Sequence, residues 1–363
     1  MALQILQTGK FQRLIAILGI SIFCTYSLAN ELPGEKIQES LVMFNWSDYM
    51  DPKLITQFKQ ETKIEVREVY YESDDQRDDI LLNMDRAYID IIVINGAMLN
   101  SYRKRGWLAP VNDQLIPNRR NLNPRWQEAF IGAKDYGIPY FWGTLGIAYR
   151  SDLVKEQITS WRQFFQPNDN LRGKIVLINT TRDVVGMALK SLGYSANSSD
   201  SKELSEAGDI LLQQKPFVHE YSYLATDETS SLVSGDVIAA MLYNGDALTV
   251  QEHHEAIKYL VPEEGGNIWV DYLTVSSISK HKDAAWLFIN FLHRPENAAQ
   301  LAKTLYFATP NKAAEQYLSQ EFLNDDTIYP SKEILQKSEF HQPLPARAIN
   351  IQNTIFSRVT NPN

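Results

Sequence analysis

The sequence predicts an α/β fold in two lobes, and three observations carry that expectation. Short apolar runs of strand character alternate with stretches whose apolar residues recur at helical spacing, the order that builds parallel sheets flanked by helices. The run over residues 89–94 is apolar except for Asp90, as suits a strand covered on both faces. The 363 residues exceed what one core usually holds, yet no low-complexity tether or fixed-period repeat divides them. The lobes are therefore expected to be joined by strands rather than strung on a linker.

In chain order, residues 41–44 read as a strand. Asp51 caps the next helix, with Pro52 at its first position and Leu54, Ile55 and Phe58 on one face. Ile64 and Val66 open a second strand and complete a β-α-β unit. Residues 79–84 look helical, the 89–94 strand follows, and a helix through residues 102–105 stops at Gly106. The alternation then recurs, with strand 174–178, helix 184–192 ending at Gly193, and strands 216–221 and 237–243. Two helical patterns, 283–291 and 296–305, are separated by Pro295.

Lys10 and Arg13 precede an apolar run over residues 14–28 that ends in Ser27-Leu28-Ala29, the pattern of a secretory signal. That run is shorter than the roughly twenty residues of a membrane span. Cys24 follows Phe23 rather than the small residue a lipid-attachment signal wants. Cleavage near Ala29 would leave a soluble, cysteine-free chain, as is usual in a bacterial periplasm. A hydrophobic share of 44% excludes wholesale disorder. Thirty-five Lys plus Arg against 44 Asp plus Glu, a net charge of -9, argue against nucleic-acid or anionic-membrane binding and suit a cationic partner.

Catalytic signatures are missing: there is no Gly-x-Gly-x-x-Gly, no phosphate-binding loop, no Gly-x-Ser-x-Gly and no cysteine after residue 24. His253-His254-Glu255 is the one metal-like cluster, and adjacent histidines diverge on any regular element. No metal, cofactor or enzymatic activity is expected; a hydrolase using two of the many acids is a remote alternative.

The informative feature is aromatic residues beside acids just after strands. Asn45-Trp46-Ser47-Asp48-Tyr49 follows the first strand, Tyr243-Asn244-Gly245-Asp246 follows strand 237–243, and Trp269-Val270-Asp271 closes a third cluster. Ligands of α/β sheets bind beyond the carboxyl ends of strands, where the first two clusters fall. On an extended segment Trp269 and Asp271 point the same way. Indole and phenol faces cover methylenes and attract cations while carboxylates pair with amines, so the combination suits a flexible chain carrying ammonium groups.

The same residues carry a resemblance. Asn45 to Tyr49, Tyr88 to Val93, Gly137 to Tyr140, Arg182-Asp183 with Met187 to Leu189 and Leu192 to Tyr194, Tyr243 to Asp246, Glu264 to Asp271 and Thr309 to Asn311 resemble the bacterial periplasmic spermidine/putrescine-binding proteins, the solute receptors of polyamine ABC importers. The likeness spans the mature chain. It implies a type II periplasmic binding protein, each lobe a mostly parallel sheet flanked by helices, closing at a hinge. Residues 38–143 and 272–312 would form one lobe, and 144–271 and 313–363 the other. It also implies ligand contacts from Trp46, Ser47, Asp48, Tyr49, Asp183, Tyr243, Asp246, Trp269, Asp271 and Phe307.

Departures bear on the ligand. Spermidine receptors carry a second acid at the position of Thr180, and Asn95 and Ala97 stand where hydroxyls are common. Phe307 and Tyr243 replace the usual Tyr and Trp, His341 falls near a polar Gln, and Asp246 leans toward a putrescine-type geometry. The resemblance implies capture of a linear di- or triamine (putrescine, spermidine or norspermidine) and its presentation to an inner-membrane ABC permease. The alternative is the norspermidine-sensing offshoot of the family, which regulates a membrane cyclic-di-GMP enzyme and biofilm formation.

Overall fold

The computed structural model describes residues 40–83 and 86–361; the expected signal segment lies outside them. The strands are β1 (Ser40–Trp46), β2 (Glu65–Tyr71), β3 (Ile91–Asn95), β4 (Ile138–Arg150), β5 (Ile175–Leu177), β6 (Val218–Tyr221), β7 (Ala239–Tyr243), β8 (Ile257–Leu260) and β9 (Ile268–Val275). They lie in the order β2-β1-β3-β9-β4-β7-β5-β6, with β8 also on β4. Pairing is parallel among β2, β1 and β3 and among β6, β5 and β7. Strands β4 and β9 run antiparallel to their neighbours, because they carry the chain between the two halves of the sheet.

β4 is the structural pivot. Residues 138–144 pair with β9, and from Leu145 onward its partner is β7. All thirteen of its residues are buried. The pleat then assigns the cores by parity. Leu41, Met43, Ile91 and Val93 face one cluster of the first half, while Phe44, Ile92 and Ile94 face another. In the second half Leu145, Ile147 and Met241 enter one core and Ala148, Ala240 and Leu242 the opposite one. Each half is thus a sheet covered on both faces.

Nine helices of eight or more residues occur among the described residues: α1 (Pro52–Thr62), α2 (Asp74–Asn83), α3 (Gly96–Lys104), α4 (Thr181–Ser191), α5 (Ser201–Gln214), α6 (Asn244–Gln251), α7 (Lys282–Leu292), α8 (Pro295–Leu305) and α9 (Ala346–Thr360). The Asp51 carboxylate accepts from Lys53 N at 2.9 Å, the expected cap, and also from Gln300 on α8. Gly106 and Gly193 end α3 and α4 at φ +69° and +82°. None of the described helices is long and apolar enough to cross a membrane.

Strands β3, β5, β6 and β7 are each shorter than expected, and for two of them the cause is plain. β3 begins after Asp90, whose buried carboxylate accepts from Val42 N at 2.9 Å and Ser279 Oγ at 2.6 Å. The acid inside the apolar run is a tie between β1 and the segment after β9. Residues 215–217 form a 3-10 turn ahead of β6, since Pro216 has no N–H for a ladder. Near the C-terminus, Ala314 packs on Ala298, Ala299 and Ala302 of α8, whereas α9 lies on α4 and α5.

Candidate functional site

The first cluster is held by the end of β1. Asn45 is buried, and its amide donates to Glu68 Oε1 at 3.0 Å and Tyr49 O at 3.4 Å; Tyr140 Oη donates to Tyr49 O at 2.9 Å. Asp48 takes φ +52°, turning the chain so that Tyr49 re-enters the core. From there the Tyr49 hydroxyl donates to Asp271 Oδ2 at 3.1 Å. Asn95, the register partner of Asp271 on β3, donates to its other oxygen at 3.3 Å.

A line of contacts continues from this acid. The Tyr49 and Phe307 rings lie 5.4 Å apart, Phe307 and Trp269 5.0 Å, and Trp269 and Tyr243 6.1 Å, all edge to face. The Tyr243 hydroxyl then donates to Asp183 Oδ2 at 3.2 Å. Two glycines permit this packing. A Cβ on Gly245 would sit 2.2 Å from the Phe307 ring, and one on Gly143 would sit 2.1 Å from Asn244 Oδ1 and 2.5 Å from the Trp269 indole. Asn244 in turn accepts from Thr144 N at 3.2 Å, fixing the start of α6 to the pivot of β4.

The acids differ in their surroundings. Burial pushes the Asp271 carboxyl up to about 7, with Asp74 adding repulsion; the Tyr49 hydroxyl, the Arg77 guanidinium and the Asn95 amide offset part of this. Burial alone raises Asp246, in the first turn of α6, to about 6, and no hydrogen-bond donor reaches its carboxylate among the described residues. Asp183, in the first turn of α4, has three donors: Tyr243, Asn267 Nδ2 at 3.0 Å and His341 Nε2 at 2.8 Å. A carboxylate shielded from water without a counter-charge is costly, so the buried Asp271 and the half-buried Asp246 favour a cationic visitor.

Tyr49, Asp183, Tyr243, Trp269, Asp271 and Phe307 therefore form one connected group, with Asp246 next to the Gly245–Phe307 contact. Trp46 is half-buried, packs against the apolar cluster that holds Tyr49, Trp269 and Phe307, and lies 4.5 Å from the Tyr71 ring. Ser47 and Asp48 stand exposed at the rim, where Ser47 Oγ donates to Glu72 at 3.1 Å. Sequence reasoning passed over Tyr71 and the ion pair of Asp74 with Arg77 at 2.5 Å, and had Asn267 only as part of the stretch leading to Trp269. Arg77 is fully buried, also pairs with Asp78, and lies 5.3 Å from the Tyr71 ring centre. A lone arginine on a polar helix gives no pattern signal; Asn95 did, as a polar residue directly after a buried strand. A cavity of about 600 Å³ lined by Arg125, Trp126, Trp142 and Tyr329 shares no residue with this group.

Residues 53–330 match the family described as bacterial extracellular solute-binding protein. The spermidine/putrescine-binding periplasmic protein of Escherichia coli K12 is 33% identical, over 85% of this chain and 88% of its own. The solved spermidine/putrescine ABC transporter substrate-binding protein of Streptococcus pneumoniae superposes with a TM-score of 0.78 at 30% identity, covering 88% of this chain and 98% of that one. The norspermidine sensor of Vibrio cholerae is 25% identical across 96% of this chain and 94% of its own. The fold is that of a two-lobed periplasmic binding protein.

Proposed function

We propose, from a chain that belongs to the bacterial extracellular solute-binding protein family, that it captures a linear di- or triamine in the periplasm and presents it to a membrane partner. The observation that carries this reading is Asp271. It is a buried acid whose carboxyl is pushed up to about 7, in a wall of aromatic rings. An ammonium arriving there supplies the missing counter-charge, and a second one does the same for Asp246. Trp269, Phe307, Tyr243 and Tyr49 offer faces and edges for the methylenes between them, and a desolvated cation–π contact adds up to about 2 kcal/mol.

Closure would bring residues 38–143 and 272–312 against 144–271 and 313–363. The change of partner along β4 at Thr144 and Leu145 supports a crossing at that point. A ligand that touches Tyr49 and Phe307 on one side and Asp246 and Asp271 on the other favours the closed form in proportion to its preference for it. Micromolar affinity needs about 8 kcal/mol, within reach of two paired amines and stacked rings after ordering costs. The likeness to named spermidine/putrescine receptors supports an ABC importer as the partner. The likeness to a norspermidine sensor supports a second reading, in which the closed form regulates a membrane signalling protein.

A thermal-shift panel of diamines, triamines and tetramines tests the binding. A specific ligand raises the melting temperature by mass action, and no change with any of them would refute it.

A further inference from the structure

At the Asp183 end of the site, the carboxylate is already committed. Its Oδ1 accepts from Asn267 Nδ2 at 3.0 Å and His341 Nε2 at 2.8 Å, and its Oδ2 from the Tyr243 hydroxyl at 3.2 Å. The residue is only 3% exposed, so these donors take the place of water. Behind His341 stands Arg182, whose Nη2 lies 3.4 Å from the other ring nitrogen. A guanidinium can only donate, so in this contact that nitrogen is the acceptor and Nε2 carries the hydrogen given to Asp183. Arg182 is anchored by Asn197 Oδ1 at 3.0 Å and Gln342 O at 3.1 Å, and its charge lies close enough to Asp183 for the two to attract. The first turn of α4 adds the favourable end of a helix dipole to the acid. Beside it, Thr180 and Tyr223 bond to each other through hydroxyls at 3.1 Å, and neither brings charge.

Resting on the polyamine reading, we propose that the Arg182–His341–Asp183 chain withdraws Asp183 from amine binding and makes this a receptor that prefers dications to trications. Asp183 is then a positioning residue. It orients Tyr243 against Trp269 and leaves a neutral acceptor, Asn267 Oδ1, at this end. The two acids with unmet demand for charge, Asp246 and Asp271, match two ammonium groups. A third ammonium would have to displace the His341 or Tyr243 donor, or stay buried without a counter-ion, and both are costly.

Calorimetric titration with putrescine and with spermidine, at one pH and salt, reads this as a ratio of affinities. The wild type is expected to bind the diamine at least about tenfold tighter. His341→Ala removes one of the two donors on Asp183 Oδ1 and should raise spermidine affinity about tenfold, leaving putrescine within about threefold. His341→Gln keeps an N–H for Asp183 and an acceptor for Arg182, and should hold the wild-type ratio. A general packing defect would weaken both ligands together, so the ratio separates a selectivity role from damage. Equal wild-type affinities, or an unchanged ratio in a folded His341→Ala protein, overturn the proposal. If the alanine variant does not fold, the wild-type ratio decides. Failure of both amines to bind wild type instead overturns the polyamine reading beneath it.

Discussion

Asp271 and Asp183 lie at opposite ends of one chain of aromatic contacts, yet they are supplied differently. Asp271 comes from β9, a strand in the middle of the sheet, where Tyr49 and Asn95 are its hydrogen-bond donors and burial dominates. Asp183 opens a helix, and Tyr243, Asn267 and His341 are its hydrogen-bond donors. Burial by itself therefore does not mark a ligand-binding acid. On the proposed reading, what matters is the balance between burial and the donors already present: the under-supplied carboxylate receives a cation, and the satisfied one shapes the site.

The largest expected effect comes from removing the under-supplied acid. Asp271→Ala should weaken diamine binding by about 30- to 4000-fold, the range for deleting one member of a buried charge pair, as read by calorimetry. Unchanged affinity would remove Asp271 from the site.

The same acid predicts an opposite effect on stability. Its folded-state carboxyl is raised to about 7 from the ordinary range, so the contribution of the protonated acid is fully present below about pH 4 and lost as pH rises through 7. Each tenfold difference in proton affinity between the folded and unfolded chain corresponds to about 1.4 kcal/mol. Asp271→Asn should thus stabilise the unliganded protein at pH 8 by roughly 2–4 kcal/mol and change little at pH 4. Denaturant unfolding at both values checks this.

For wild type, affinity should fall more than about tenfold between pH 8 and pH 5, as Asp271 and then Asp246 take up protons in the free protein. A flat profile would mean that neither carboxylate meets an ammonium. Replacing Trp46 and Trp269 together should abolish the ligand-induced change in tryptophan fluorescence; a surviving signal would place the responding indole elsewhere. At the rim, Ser47→Ala should alter affinity by less than about twofold, since its hydroxyl is exposed and bonded to Glu72.

Much of the fold was legible because local rules and tertiary packing agree. Asp51 and Pro52 announce α1, and the glycines at 106 and 193 announce two helix ends. β4 was harder. Pro139, Gly143 and Gly146 look like breaks, and a strand buried along its whole length shows no alternation, so the pivot of the molecule carried no strand signal. The helix Ser201–Gln214 did have one, in the Asp200 cap and the spacing of Leu204, Ala207 and Leu211.

The site divides in the same way. Trp269 and Asp271 follow from a two-residue period, and both reach the Tyr49–Phe307 pair. His341 and Asp183 are 158 positions apart, so their bond is a product of tertiary structure that no local pattern holds.

The most direct measurement is the proton count on diamine binding at pH 7, from calorimetry in buffers of different ionisation enthalpy. An ammonium meeting a half-protonated Asp271 should release about half a proton or more, and the release should fade by pH 9. Tight binding at pH 7 with no proton exchange would contradict the account, because it would show the ligand's charge settling somewhere other than the buried acid of β9.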